Sequence, residues 1–118
     1  MRRNKLAVYM HFVWSRWDRE PFIAPSFERR LHRFIEKVAR DMHCTVRAIN
    51  GVEDHVHVLL SLPSTVTIAE LAKRMKGASS HFVNEEIRPG YHFKWQGSYG
   101  AFTVSRWDVQ KIIDYNNH

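Results

Sequence analysis

Residues 53–61 read EDHVHVLLS, a short run in which two histidines alternate with valine and leucine. Successive side chains of a β-strand point to opposite faces. One face of this strand is therefore apolar, and the other carries His55 and His57 side by side. A strand of this kind covers a hydrophobic core with its apolar face, so we expect helices against that face and an accessible sheet surface on the other.

The sequence on either side of this strand predicts alternating strands and helices. In chain order, the predicted elements are a strand (5–15), a helix (26–42), two strands (44–53 and 55–63), a helix (67–83), a strand (101–105) and a closing helix (107–118). Ser26 and Thr67 are expected to cap the first two helices. The order β-α-β-β-α-β-α predicts an α+β fold of ferredoxin-like or RRM-like type, with an antiparallel sheet, helices on one face and an added C-terminal helix. At 118 residues the chain fits one such domain, residues 1–118.

The composition is that of a basic globular protein. Hydrophobic residues make up 44% and charged residues 25% of the chain, and no apolar run approaches the roughly 20 residues that cross a bilayer. Cys44 is the only cysteine, which excludes an internal disulfide and a cysteine zinc cluster and favours a reducing, cytoplasmic location. The net charge of +6 favours a polyanionic partner, with nucleic acid the first candidate, although a basic protein that binds no polyanion has the same composition.

The two histidines have the spacing of a metal-binding pair. Side chains two residues apart on a strand have Cβ atoms about 6 to 7 Å apart, within reach of one ion. Two neutral imidazoles hold a divalent ion poorly, so a third ligand is required. The alternative is a pair of ordinary surface histidines on a solvated sheet face, and the spacing alone does not separate these two interpretations.

The closing helix places a tyrosine beside its apolar stripe. Val109, Ile112 and Ile113 form the stripe, and Tyr115 lies on its flank, where a hydroxyl can face a cleft. A phenol with an ordinary pKa of about 10 is a poor nucleophile, but a nearby cation stabilises the charge that develops when it attacks a phosphoryl group. The simpler alternative is a ring that packs at the edge of the sheet. Tyr99 is a rival nucleophile, although an aromatic residue just before a strand more often braces the sheet.

Five segments in a fixed order extend this pattern over nearly the whole chain. They are HFVWSRWDREPFI (11–23), GVEDHVHVLLSLP (51–63), KGASSHFVNEE (76–86), WQGSYGAFTVS (95–105) and VQKIIDY (109–115). Together they resemble the single-tyrosine HUH transposases of the insertion-sequence type, including the REP-associated tyrosine transposases of bacteria. HUH denotes histidine, hydrophobe, histidine, as in His55-Val56-His57, and an acidic residue such as Asp54 usually precedes the pair.

The resemblance implies a chemistry. Members of the family cut single-stranded DNA next to hairpins, and a tyrosine attacks the scissile phosphate to give a 5′-phosphotyrosine and a free 3′-hydroxyl. Rejoining needs no ATP or other nucleotide cofactor, because the covalent link keeps the phosphodiester energy. By position, Tyr115 matches the nucleophile, and His55 and His57 match the ligands of Mg²⁺ or Mn²⁺. Family members are homodimers, in which the tyrosine helix of one subunit can serve the histidines of the other.

The chain departs from the family pattern near the metal site and in the last helix. The family commonly has a glutamine ligand four residues after the nucleophile, whereas His118 is the last residue here and is the candidate third ligand instead. Ser98 stands where the family usually has glycine, and Asn116 stands where it usually has isoleucine, which predicts looser docking of the helix. The second hypothesis is therefore a catalytically impaired or domesticated nucleic-acid-binding domain of the same fold.

The helix at residues 67–83 carries the side chains expected to contact DNA phosphates. Lys73, Lys76 and Ser80 share one face, Arg74 lies beside them, and Gly77 would let a phosphate or a neighbouring backbone come close. Such contacts position a strand without reading its sequence. Trp14, Trp17 and Trp95 are candidate platforms on which bases could stack, although each could equally be a core or interface residue, because tryptophan is usually buried.

Two other classes of function compete with a transposase. An RRM-like binder would need aromatic residues at alternate positions of the exposed face, where this strand has histidines. A metallohydrolase that activates a water would need an acidic general base near His55, and Asp54 is predicted to point to the opposite face of an ideal strand.

Overall fold

The computed structural model describes residues 8–17, 25–52, 54–105 and 107–116, apart from the side chains of residues 52, 115 and 116. Its elements follow the predicted order: β1 (Val8–Ser15), α1 (Pro25–Asp41), β2 (Thr45–Val52), β3 (His55–Leu62), α2 (Ile68–Phe82), a π-helical turn (Val83–Ile87), β4 (Gly100–Val104) and α3 (Val109–Asn116). Thr67 caps α2 as predicted, since its side chain accepts a hydrogen bond from the backbone N–H of Glu70 at 3.1 Å.

The four strands form one antiparallel sheet in the order β2-β3-β1-β4. β2 and β3 form a hairpin, whereas β1 and β4 are joined to the hairpin through helices. This is the strand order of the ferredoxin-like plan, so the predicted α+β fold is confirmed. The register places Val13 of β1 and Asn50 of β2 on either side of His57, and Ser15 beside His55.

The core lies between one face of the sheet and helices α1 and α2. Its fully buried side chains come from alternate positions of β1 and β3 and from one stripe of each helix, among them Met10, Phe12, Trp14, Val56, Val58, Leu60, Leu31, Ile35, Leu71 and Met75. Each large apolar side chain removed from water contributes about 1.5–3 kcal/mol, so this layer is the main source of stability.

Two of the three tryptophans considered as base-stacking platforms belong to this core. Trp14 and Trp95 are 2% and 5% exposed, and their rings meet edge to face with centroids 5.7 Å apart. The indole N–H of Trp95 donates to the buried hydroxyl of Ser79 at 2.9 Å. Of the two interpretations that the sequence allowed, the core one is therefore confirmed for these two residues, because their rings are packed against protein.

The opposite face of the sheet, which we call the outer face, carries the histidine pair. Alternate positions of β1 and β3 point there: His11, Val13, His55, His57 and Leu59. Leu59 is fully buried although it points away from α1 and α2. The helix α3 contacts β2, and its first residue, Val109, is also buried. The helix α3 therefore packs against the β2 side of the sheet, while the histidines are half-buried.

Two further observations concern the single cysteine and the helices. Burial raises the pKa of the Cys44 thiol to about 11, so this cysteine stays protonated at neutral pH and is a poor nucleophile. Within the described ranges, the helices are too short or too polar to cross a membrane.

Candidate active site

His55 and His57 lie on the outer face at the start of β3, directly after the β2–β3 turn. Both side chains are half-buried, and their ring centroids are 6.3 Å apart. Because β3 is an inner strand, its neighbours β1 and β2 pair with it along both edges and fix the direction of the two rings. The structure thus brings the two predicted metal ligands together on one face.

Asp54 contacts the first histidine of the pair. Its Oδ1 lies 2.6 Å from Nδ1 of His55. Strand alternation predicted that Asp54 would point to the opposite face, and this prediction is wrong because Asp54 belongs to the turn before β3, where alternation does not hold. The carboxylate accepts a hydrogen bond from Nδ1–H of His55, so the lone pair of the neutral ring is on Nε2.

The second histidine is engaged by a residue that the sequence analysis missed. Nε2 of His11, on β1, lies 3.0 Å from Nδ1 of His57, and the two ring centroids are 5.1 Å apart. Burial lowers the pKa of both imidazoles, and for His57 the nearby His11 and His55 lower the pKa further. Both rings are therefore neutral at pH 7, which is the form that binds metal ions.

The other ring nitrogens, Nε2 of His55 and Nε2 of His57, are the candidate ligands for a shared divalent ion. With a metal–nitrogen distance of about 2.1 Å, two ligating imidazoles have centroids at most roughly 6.5 Å apart. The observed 6.3 Å lies just within this limit, so in this arrangement the two nitrogens would stand nearly opposite each other across the ion. In the described ranges, no further His, Cys, Asp or Glu completes a group of three ligands. His118, the predicted third ligand, lies outside the described residues.

The helix that carries Tyr115 contacts the sheet of its own chain. It packs against β2, which pairs with β3 beside the histidines. Val109 is buried, and Ile112 and Ile113 are half-buried, which is the apolar stripe expected from the sequence. Tyr115 lies in the last turn of α3. Its side chain and that of Asn116 are outside the described part of the chain, so the looser docking expected from Asn116 stays a prediction.

A groove beside β4 contains two of the predicted phosphate-binding lysines. It has a volume of about 280 Å³ and is lined by Ala69, Lys73, Lys76, Gly97 and Tyr99. Nζ of Lys76 donates to the carbonyl of Ser98 at 3.1 Å and lies 5.9 Å from the centre of the Tyr99 ring. Burial lowers the pKa of the Lys76 ammonium. A partly desolvated cation of this kind gains more from a phosphate than a cation in open water does.

The other two predicted phosphate contacts lie apart from this lysine groove. Arg74 is exposed on α2. Ser80 donates its hydroxyl to the carbonyl of Gly77 at 3.1 Å and lines a different groove with His92 and Lys94. A Cβ added at Gly77 would meet no atom within 4 Å, so no neighbouring backbone requires glycine there. The structure therefore brings together the two lysines but not all four residues.

Aromatic and basic side chains gather at the end of β1, and we call this group the β1-end cluster: Arg16, Trp17, Tyr91 and Lys94. Trp17 is 47% exposed, and Nζ of Lys94 lies 4.4 Å from the centre of its ring. Cζ of Arg16 lies 5.2 Å from the centre of the Tyr91 ring, which is 45% exposed. The last residue of β1 pairs with the first residue of β3, so this cluster adjoins the histidines. Only Trp17 among its members was identified from the sequence.

Comparison of the sequence with known proteins identifies a family. Residues 4–118 match the family model described as "Transposase IS200 like". Among curated proteins, the chain is 28% identical to the ISDra2 transposase TnpA of Deinococcus radiodurans, in an alignment that covers 97% of this chain and 89% of the relative.

Two solved structures share the fold. A proposed transposase from Deinococcus radiodurans R1 superposes with a TM-score of 0.75 at 23% sequence identity, covering 98% of this chain and 95% of that one. A REP-associated tyrosine transposase bound to a REP hairpin superposes with a TM-score of 0.69 at 18% identity, covering 98% of this chain and 68% of that one. At these identities the likeness shows a common architecture.

Proposed function

Because the chain belongs to the family of IS200-like transposases, which act in DNA transposition, we propose that it cleaves and rejoins single-stranded DNA through Tyr115, with Mg²⁺ or Mn²⁺ held by His55 and His57. The observation that carries the proposal is the histidine pair, in which a neighbour engages each Nδ1, so that Nε2 of each ring is the nitrogen that would face an ion. Such fixed rings are typical of metal sites rather than of solvated surface histidines.

In the proposed reaction, the phenol oxygen of Tyr115 attacks the scissile phosphorus, and the bond between phosphorus and the 3′ oxygen breaks. The phenol releases its proton and the departing 3′ oxygen takes one up, so the products are a 5′-phosphotyrosine and a free 3′-hydroxyl. A bound divalent ion supplies charge stabilisation at the phosphoryl oxygens. Asp54 holds the ring of His55 in place. An incoming 3′-hydroxyl reverses the step without ATP, since the covalent link has retained the bond energy.

The lysine groove supports a path for the DNA strand. His57 of β3, Val13 of β1 and Gly100 of β4 lie side by side across three neighbouring strands. Neighbouring strands are about 4.8 Å apart, so the start of β4 lies about 10 Å from His57. Tyr99, which lines the groove, directly precedes this point. Because the two lysines lie on the α2 side of the sheet and the histidines on the outer face, DNA held by the lysines would reach the histidines by passing around the β4 edge.

Trp17→Ala is expected to weaken binding of single-stranded DNA by about 5- to 100-fold, because one base–aromatic stack contributes about 1–3 kcal/mol. Its exposed ring beside Lys94 offers both a stacking face and a nearby cation. The measurement is fluorescence anisotropy with labelled oligothymidylate. Trp107, which is 78% exposed, provides the matched control, and Trp107→Ala is expected to change the affinity less than twofold or so. Equal losses in both variants would contradict a specific role for Trp17.

Gly77→Ala is expected to raise the free energy of unfolding by about 0.5–1 kcal/mol, because alanine favours a helix interior more than glycine does. The added methyl group meets open space in the free protein, so no steric cost opposes this gain. Denaturant unfolding monitored by circular dichroism measures it. If a DNA phosphate passes close to this backbone, as we propose, the same variant binds single-stranded DNA more weakly. If Gly77→Ala is stabilised but binds single-stranded DNA with unchanged affinity, the DNA does not pass close to Gly77.

We extend the proposal to a hairpin-containing substrate and to a homodimer. The relative solved with a REP hairpin supports the first. The second is supported by β4, the edge strand of the described sheet, whose Phe102 is 59% exposed, since a sheet edge with an exposed apolar side chain fits another copy of the chain. Light scattering measures the mass of the protein in solution and so tests the homodimer.

Mixing Tyr115→Phe protein with His57→Ala protein tests whether the tyrosine acts within its own subunit or on the partner. Recovered cleavage in the mixture requires a tyrosine that serves the histidines of the partner subunit.

The proposed function is tested with labelled single-stranded DNA that contains a hairpin, incubated with Mn²⁺ or Mg²⁺. The expected result is a protein–DNA adduct that survives denaturation, together with a shortened strand ending in a 3′-hydroxyl. Both are expected to disappear when a chelator removes the ion. Cleavage without an adduct would indicate the metallohydrolase, and binding without cleavage under either metal would indicate the impaired nucleic-acid-binding domain.

A further inference from the structure

His11 contacts the histidine pair without belonging to the proposed ligand set. It lies on β1, next to β3, and its Nε2 is 3.0 Å from Nδ1 of His57. The two ring planes are inclined by only 29°. We propose that His11 is a positioning residue, which fixes the ring of His57 so that its Nε2 faces the divalent ion. This inference rests on the proposed function, because it concerns the ion that the pair would hold.

Ligation of the ion by His57 determines the direction of this hydrogen bond. When Nε2 of a neutral imidazole ligates a metal ion, the proton of the ring is on Nδ1. Nδ1–H of His57 then donates, and Nε2 of His11 accepts. His11 in turn carries its own proton on Nδ1. With the ion bound, only this arrangement of the two protons keeps the hydrogen bond.

The first histidine of the pair, His55, has a comparable hydrogen-bond partner. Asp54 accepts from Nδ1 of His55 at 2.6 Å, as we propose that His11 does from His57 at 3.0 Å. The two acceptors come from different elements, a turn and a neighbouring strand. Neither ring of the pair can flip and exchange its nitrogens without losing a hydrogen bond. Loss of such a partner typically weakens metal binding by about 10- to 100-fold.

Direct ligation by His11 is the competing interpretation. Two nitrogens 3.0 Å apart can also bind one ion at adjacent positions, which would use Nδ1 of His57. We favour positioning because Asp54 already occupies Nδ1 of His55, so the nitrogen that His55 offers to an ion is Nε2. If His55 and His57 both ligate through Nε2, the two rings on one strand approach the ion in the same way, and Nδ1 of His57 is left to contact His11.

The test is a Mn²⁺ titration of the protein without DNA, followed by electron paramagnetic resonance. His11→Phe keeps a flat ring but removes the acceptor, and it is expected to weaken Mn²⁺ binding by about 10- to 100-fold. His11→Gln keeps an acceptor oxygen and is expected to stay within about threefold of the wild type. His92→Phe removes an exposed imidazole elsewhere and serves as the matched control, with unchanged affinity expected.

Four results would overturn the inference. Wild-type affinity in His11→Phe would show that the contact is dispensable, and equal losses in His11→Phe and His11→Gln would show that an acceptor does not suffice. Pulsed measurements of nitrogen coupling to Mn²⁺ would reveal a direct ligand if His11→Gln lost one coordinated imidazole. A wild-type protein that binds no Mn²⁺ would overturn the metal-dependent function as well. If the wild type binds Mn²⁺ and forms the adduct, failure of the variants concerns His11 alone.

Discussion

Tyr115→Phe is expected to abolish the covalent protein–DNA adduct and to lower strand cleavage by at least about 10³-fold, the scale on which loss of a nucleophile acts. The substitution removes the one oxygen that we propose forms the bond to phosphorus. It retains the aromatic ring at the end of α3, so the fold and the affinity for single-stranded DNA are expected to be unchanged. Gel electrophoresis under denaturing conditions measures the adduct, and anisotropy measures the affinity.

Tyr99→Phe is the matched control for this substitution. The Tyr99 ring lies beside Phe12, with ring centroids 6.3 Å apart, and beside the ammonium of Lys76. These contacts involve the ring rather than the hydroxyl, so the variant is expected to form the adduct at nearly the wild-type rate. An adduct that persists in Tyr115→Phe and disappears in Tyr99→Phe would assign the nucleophile to Tyr99 instead.

His57→Ala is expected to reduce Mn²⁺ affinity by at least about 100-fold, because a single remaining imidazole holds a divalent ion poorly. Cleavage and adduct formation are expected to fall with metal occupancy. Binding of single-stranded DNA is expected to be retained, because His57 belongs neither to the lysine groove nor to the β1-end cluster. Isothermal titration with Mn²⁺ and anisotropy with labelled DNA separate the two effects.

His81→Ala is a suitable control for the loss of an imidazole, because His81 is exposed on α2 and faces away from the core. We expect Mn²⁺ affinity and cleavage like those of the wild type. Restoration of cleavage in His57→Ala by excess Mn²⁺ would agree with weakened binding of the ion. Unimpaired cleavage in His57→Ala at low Mn²⁺ would instead refute the assignment of the metal site.

The two faces of the central strand could be predicted from the sequence because they depend on local geometry. Alternation in EDHVHVLLS places valines and histidines on opposite sides whatever the rest of the chain does. The order of strands and helices could likewise be predicted from apolar periodicity and from caps such as Thr67, whose hydrogen bond is present. These signals extend over a few residues and need no knowledge of which strands become neighbours.

The partners of the two histidines could not be predicted, because they depend on long-range pairing and on turn geometry. Alternation in β1 places His11 opposite to Met10 and Phe12, so its outward direction was available from the sequence. Its contact with His57, however, requires that β1 and β3 pair in one particular register. Asp54 reaches His55 only because the chain turns before the strand begins.

The burial of Trp14 and Trp95 could not be predicted from the sequence either. Trp14 and Trp95 are as compatible with a stacking platform as with a core, because the indole ring is both large and partly polar. Their burial follows from the segment after the π-helical turn, which folds back on β1: the backbone N–H of Gln96 donates to the carbonyl of Ser15 at 2.8 Å. No short stretch of sequence specifies that return of the chain, and it also assembles the β1-end cluster.

The helix α3 lies outside the principal core cluster of the domain. In the described part of the chain, the principal core cluster takes side chains from both other helices and from the strands, but none from α3. Changes in the last turn of this helix should therefore have little effect on folding, while they remove the hydroxyl that we propose attacks DNA. If the proposed strand transfer were lost through such a change, the scaffold that we propose binds DNA would still fold, so that selection could act on the chemistry and on the architecture independently.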